Sequence, residues 1–314
     1  MNIKELNKKL QFEFMNKHYI AVKKAEQMND SLKKIAAFQK LCAIEKELVF
    51  EVAKPDQTKQ NKALHEKNLK TVREQKEKLY SKLGIKKSDL LPKFECKKCE
   101  DLGFIGSEMC SCFIARRNEE LLKLGGLNPK ALASFEKFDT KICKNEKQAA
   151  NLKKLKDKLE NWAESYPDVK KKNITLSGTV GVGKTYLSEC LANRLSSRKF
   201  SVCFVSAFDM NDMFLKYHTT FDATKQANIS PLLESDFLFI DDLGTEPIMK
   251  NVTLNYLYLI LSERERHNRP VIITTNLLPE NILDRYGERI YSRIASKITG
   301  ALFHLEGDDL RVGK

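Results

Sequence analysis

Gly178, Thr179, Val180, Gly181, Val182, Gly183, Lys184 and Thr185 follow the pattern G-x-x-x-x-G-K-T. That spacing suits one chemistry, the cradling of a polyphosphate. Three glycines let the backbone turn with its N–H groups facing inward, and a helix opened by Tyr186 adds the positive end of its dipole. Lys184 is expected to reach the β- and γ-phosphates of ATP, and the Thr185 hydroxyl to ligate Mg²⁺. Farther on, the apolar run Phe237-Leu-Phe-Ile240 ends in Asp241-Asp242. An apolar run of that length reads as a buried central strand, and ligands of α/β sheets bind at the carboxyl ends of strands. Asp241 is expected to hold Mg²⁺ through its water shell, and Asp242 to orient and polarise an attacking water.

Three further residues fit the same chemistry. The strand-like run Val271–Thr275 ends in Asn276. A polar side chain there could hydrogen-bond the γ-phosphate or the water. Glu288-Arg289-Ile-Tyr-Ser-Arg293-Ile places two arginines four apart on one helix face. An arginine offered by a neighbouring subunit is worth a large rate factor in phosphoryl transfer. Arg293 is the candidate for that role, with Arg289 next.

A second constellation lies upstream. Cys96-Lys-Lys-Cys99 is followed by a loop holding Gly103 and Gly106, then by Cys110-Ser-Cys112. Two close pairs joined by such a loop can wrap a tetrahedral ion. Four thiolates favour Zn²⁺, an iron–sulfur cluster being the lesser option. No open ligand position or neighbouring base is evident, so the expected job is structural. Cys42, Cys143, Cys190 and Cys203 scatter among apolar neighbours and read as small core residues.

The elements that must position these groups fall into two textures. From residue 173 onward, β-rich runs at Ile174–Ser177, Val202–Ser206, Phe237–Ile240, Val271–Thr275 and Leu302–Leu305 alternate with helical stretches. Five such strands predict an α/β domain with a parallel, doubly wound sheet. Before residue 173 the spacing is mainly helical, with a break at Pro55, a second charged helix over 63–83 and further helices over 115–124 and 146–164. All the basic excess of a net charge of +13 lies there: residues 1–95 hold 22 Lys and Arg against 13 Asp and Glu, and residues 174–314 hold 16 against 17. That imbalance fits nucleic acid or an acidic partner, and equally a lysine-rich solvated surface. At 314 residues the chain can bury a full core. The cysteines without a secretory leader point to a reducing compartment, the cytoplasm. No uncharged apolar run approaches the ~18–20 residues that span a bilayer, so no membrane partner is expected.

GTVGVGKT, FLFIDDLGTE, ITTN and GERIYSRI, in this order, resemble the AAA+ ATPases of the DnaC/DnaI type, bacterial loaders of the replicative helicase. These are related to initiator ATPases and to IstB-like transposition helpers. The resemblance begins near residue 130, where Phe135-Glu-Lys-Phe138-Asp looks like the usual lead-in, and runs to the end. It implies a five-stranded sheet of order 5-1-4-3-2 and ATP with Mg²⁺. It also implies self-assembly into a ring or spiral on a hexameric DnaB-type helicase, with single-stranded DNA as a further partner. Only about ten residues follow the fifth strand, which leaves a reduced or absent helical lid and leaves Arg311 without a clear role at the phosphates. The segment CKKCEDLGFIGSEMCSC resembles the zinc segment of DnaI-type loaders. The expected division is a basic helical helicase-interaction region over 1–91, a zinc-binding segment and linker helix over 92–129, and an AAA+ ATPase over 130–314. In initiator-type relatives the region of Phe214, Lys216, Tyr217 and His218 faces DNA; the same residues also read as an ordinary amphipathic helix. The rival readings are an IstB-like transposition helper and a nucleotide-gated adaptor that does not hydrolyse ATP.

Overall fold

The computed structural model describes residues 3–54, 58–129 and 131–311. The expected break at Pro55 and the boundary at residue 130 lie outside the described residues. The chain divides into two compact units, one formed by residues 11–108 and the other by 1–10 and 109–314.

The smaller unit is built from helices. It takes α1 (Ile3–Lys33) from residue 11 on, α2 (Ala36–Ala53), α3 (Lys59–Lys82) and the short paired strands β1 (Phe104–Ile105) and β2 (Glu108–Met109), the last residue of which, like residues 3–10, belongs to the larger unit. The helical spacing of the first 54 residues thus resolves into two helices, broken where Ile35 takes an extended backbone. α2 and α3 are joined through Glu45, which accepts from Arg73 at 3.1 Å and Lys76 at 2.7 Å. α3 buries Leu69, Val72 and Tyr80.

The larger unit holds α4 (Ser111–Leu124), α5 (Glu146–Ser165), β3 (Asn173–Gly178), α6 (Lys184–Ser197), β4 (Val202–Ser206), α7 (Ala207–Thr219) and α8 (Ser230–Glu234). It continues through β5 (Phe237–Leu243), α9 (Thr253–Arg266), β6 (Val271–Thr275), α10 (Pro279–Tyr286), α11 (Glu288–Ile294) and β7 (Gly300–Leu305). The five long strands form one parallel sheet in the order β4-β5-β6-β3-β7. Counted from β3 as the first strand and read from the β7 edge, that is 5-1-4-3-2, the order expected.

A sheet buried on both faces needs strands that are apolar at every position, because successive side chains point to opposite sides. β5 meets this demand. Phe237 and Phe239 join a core that contains Leu155, Leu159, Leu187, Leu191 and Leu195 from α5 and α6. Leu238 and Ile240 join another with Met210, Phe214, Leu257 and Ile260 from α7 and α9. Below the strands, the fully buried Arg264 donates to the carbonyls of Leu232, Ser235, Asp236 and Pro270 at 2.8–3.1 Å. One guanidinium thus satisfies the chain ends that enter β5 and β6.

The carboxyl ends of β3, β5 and β6 open on the other edge of the sheet, where the glycine-rich turn stands. α6 begins at Lys184 itself, two residues before the helix expected from Tyr186.

Candidate nucleotide site

A cavity of about 760 Å³ lies over the carboxyl ends of these strands. Gly181, Gly183, Lys184, Thr185, Tyr186 and Val180 line it from the glycine-rich turn, Asp241 and Asp242 from the end of β5, and Asn276 from the end of β6. Val182 turns the other way and is buried in the core beneath. Residues scattered over about a hundred positions of sequence are thus brought to one place by the parallel register, which sets Ser177 level with Thr275 and Ser206 level with Asp241.

Lys184, Thr185, Asp241 and Asn276 are bonded to one another or to the nearby backbone. Lys184 Nζ donates to the carbonyls of Gly178 and Thr179 at 2.9 and 2.7 Å and to Asn276 Oδ1 at 2.7 Å. Burial lowers the Lys184 ammonium from its ordinary value; the charges of Asp242 and Asp241 oppose this, and Arg311 adds to it. Thr185 Oγ1 donates to both Asp241 oxygens at 3.1 Å. Thr274 Oγ1 donates to Asp241 Oδ1 at 2.6 Å and accepts from the Asp242 N–H at 2.8 Å. Burial raises the Asp241 carboxyl; the hydroxyl bond from Thr274 opposes it, and the neighbouring charge of Asp242 reinforces it.

Asp242 has φ +53°, and the pairing of β5 with β6 shifts between Ile240 and Leu243. This bulge turns the second carboxylate into the cavity instead of to the opposite face, as strand alternation would.

Of the other lining residues, the sequence marked only Lys137, Phe138 and Asp139, in the lead-in segment, and Arg311. Lys137, Phe138, Asp139, Thr140, Ile142 and Cys143 form one wall, and Leu310 and Arg311 close another. Phe138 lies beside Tyr186, ring centroids 6.1 Å apart. Cys143 is half-buried, packed against the core and also lining the cavity; Cys190 and Cys203 are buried as expected, and Cys42 is half-buried. Leu310 N–H donates to Gly181 O at 3.0 Å. Gly181 has φ +79°, which favours glycine, and a Cβ there would stand 1.9 Å from the Asp309 carboxylate, which would have to swing aside. Thr274 was also missed; a polar pair closing an otherwise apolar strand, Thr274-Thr275, is the signal that could have found it.

Arg293 lies outside this cavity. Its guanidinium sits 4.5 Å from the centre of the Tyr258 ring, Nε is 3.4 Å from Glu265, and Nη1 donates to Arg289 O at 2.8 Å. In α7, Phe214 is fully buried and Tyr217 packs edge-on against Tyr256 at 5.2 Å, as an amphipathic helix requires.

Cys96 and Cys99 lie near the end of the smaller unit, and Cys110 and Cys112 stand at the start of α4 in the larger one. The backbone entering the first pair is held by Asp101, which accepts from the N–H groups of Glu95 and Cys96 at 2.8 and 2.7 Å. Gly103 N–H points at Cys99 Sγ at 3.3 Å, an N–H···S bond suited to a thiolate. Two such pairs supply four thiolates, the donor set of a tetrahedral Zn²⁺ site with Zn–S bonds of about 2.3 Å.

Among the described residues, no helix is long and apolar enough to cross a membrane. The chain is 25% identical over 127 residues to the replicative helicase loader DnaI of Bacillus subtilis, covering 40% of each chain. It is also 25% identical over 107 residues to the ATP-binding protein of insertion sequence IS5376 from Geobacillus stearothermophilus, 34% of this chain and 41% of that one. It thus spans about two fifths of the length of each of these curated relatives. A crystal structure of the DnaC helicase loader superposes with a TM-score of 0.47 at 20% identity, over 55% of this chain and 97% of that one. Residues 107–293 match the family described as IstB-like ATP binding protein, more than half of the chain and all of the cavity's strands and turns up to α11, and the chain belongs to that family.

Proposed function

We propose that this protein is an ATPase that loads a hexameric DnaB-type replicative helicase onto single-stranded DNA. The observation that carries the reading is the convergence of Lys184, Thr185, Asp241, Asp242 and Asn276 in one cavity at the strand ends. Lys184 would hold the β- and γ-phosphates, and Thr185 and Asp241 would hold Mg²⁺, which supplies charge neutralisation between the phosphates. Asp242 would accept a hydrogen bond from the attacking water and orient it toward the γ-phosphorus. Asn276, already bonded to Lys184, would donate its amide N–H to a γ-phosphate oxygen or the water. Arg293 would act across a subunit contact, leaving Tyr258 to reach a neighbour's γ-phosphate.

Residues 130–314 would do this chemistry. The basic helical region over 1–91 would face the helicase, and the segment over 92–129 would be ordered by one Zn²⁺ on Cys96, Cys99, Cys110 and Cys112. The workplace would be the cytoplasm. The four-cysteine segment and the long helical N-terminal half favour a loader. The likeness to an insertion-sequence protein favours a second reading, a transposition helper acting on duplex DNA. Affinity capture from host extract decides between them: co-purification of a hexameric helicase supports the loader, and co-purification of a transposase the helper. ATP turnover with and without single-stranded DNA separates either from an adaptor that binds ATP without hydrolysing it.

A further inference from the structure

Beyond β5, a buried carboxylate has no part in the chemistry above. Glu246 is 1 % exposed. Its Oε2 accepts from the Gly244 N–H at 2.8 Å, and its Oε1 accepts from the Tyr286 hydroxyl at 2.5 Å. Arg285 donates to the Glu246 backbone carbonyl. Burial, with the Glu246 carboxylate beside it, holds the Tyr286 phenol protonated well above the usual tyrosine range, so it remains a donor.

The turn that Glu246 grips is the one that carries Asp242. Asp242 sits in the left-handed region at φ +53°, a conformation that a non-glycine residue keeps only where its surroundings impose it. Its carbonyl accepts from the Thr245 N–H at 3.2 Å and from the Thr245 hydroxyl at 2.8 Å. Gly244 follows at φ +113°, with the Leu277 side chain 2.8 Å from where a Cβ would be. Tyr286, at the far end of the clamp, is the last residue of α10. Gly287 joins it directly to α11, the helix of Arg293.

A buried carboxylate used only for packing could be replaced by an apolar side chain with little loss. A directional job is the reason to keep one. We infer that Glu246 is a positioning residue: clamped between the Gly244 amide and the Tyr286 hydroxyl, it holds the turn in which Asp242 faces the nucleotide and ties that turn to the α10–α11 joint. The inference rests on the hydrolytic role proposed for Asp242. Glu246 touches neither nucleotide nor water; it acts through Asp242, where a displacement of an ångström is enough to matter.

Tyr286→Phe removes one oxygen and frees one arm of the clamp. Its expected effect is a fall in kcat for ATP on the order of tenfold with the dissociation constant for ATP changed less than about twofold, since the Lys184 side of the cavity is untouched. Glu246→Gln should give the same split. In an Asp242→Asn background, Tyr286→Phe should cost nothing more, because the residue it positions is already disabled. A purely structural role would instead subtract equally in both backgrounds. Thermal midpoints check that each variant folds, and if Glu246→Gln does not, Tyr286→Phe decides alone. A wild-type kcat in Tyr286→Phe alongside slow turnover in Asp242→Asn overturns this inference and leaves the hydrolytic reading standing. Normal turnover in Asp242→Asn removes both.

Discussion

The Lys184 ammonium and the Asn276 side-chain oxygen are 2.7 Å apart, so the cation of the glycine-rich turn and the polar cap of β6 form one hydrogen-bonded unit. With Asn276 Oδ1 turned to the lysine, its amide N–H groups are left for the substrate side. The two residues should therefore fail differently. Lys184→Ala removes the charge held against the phosphates and should abolish tight ATP binding in an equilibrium titration. Asn276→Ala should bind ATP within a few-fold of wild type and lose on the order of 10²-fold in kcat, the scale for one lost donor at a reacting centre. Asp242→Asn should also bind ATP and hydrolyse it slowly. Equal losses of binding in Lys184→Ala and Asn276→Ala would show that the pair acts only in the ground state.

Asp241 has a pH signature. Burial raises its carboxyl, opposed by the hydroxyl bond from Thr274. A raised carboxyl favours the fold while protonated; that contribution is fully present below the ordinary carboxylate value and is lost as pH rises through the raised one. Above that range Asp241 is a half-buried anion whose charge costs the ligand-free protein stability. Asp241→Asn should raise the ligand-free melting midpoint at pH 7.5, by an amount that shrinks as the pH is lowered toward 4, and should abolish the stabilisation produced by Mg²⁺ with ATP. A midpoint lowered at pH 7.5 would contradict this account.

The sulfur cluster calls for metal analysis of protein purified without chelator. About one Zn²⁺ per chain is expected, and less than about a tenth would count against the site. Cys110→Ser should lose the metal and loosen the segment around residues 96–112. ATP affinity should stay within about twofold of wild type, because none of the four cysteines lines the nucleotide cavity.

Arg293 is tested by mixing. Arg293→Ala chains keep their own Lys184, and Lys184→Ala chains keep their own Arg293. Each alone should be nearly inactive, with turnover down on the order of 10³-fold if Arg293 reaches a neighbour's γ-phosphate. The mixture should recover activity under conditions that let subunits meet, such as added helicase or single-stranded DNA. Wild-type turnover in Arg293→Ala would return the guanidinium to its contacts with Tyr258 and Glu265 and make Arg289 the next residue to test.

What could be read in the chain before folding was whatever depends on near neighbours. The glycine-rich turn announces itself because eight consecutive residues do one job. The β5 run is visible because a strand covered on both faces must be apolar throughout, and α11 because its arginines repeat at the helical period. The cysteine pairs are close in sequence, so the chain alone marks them as one donor set. Other features depend on strands far apart in sequence that lie side by side. Thr274 could bond Asp241 only once β6 lay beside β5, and Asn276 could meet Lys184 only once β6 lay beside β3. The wall at 137–143 has no periodicity, because irregular backbone is shaped by what it packs against rather than by its own spacing. Gly181 illustrates both levels. Its type was legible as part of the turn, yet the carboxylate of Asp309, which would have to move for a larger side chain, arrives only when the segment after β7 folds back onto the loop.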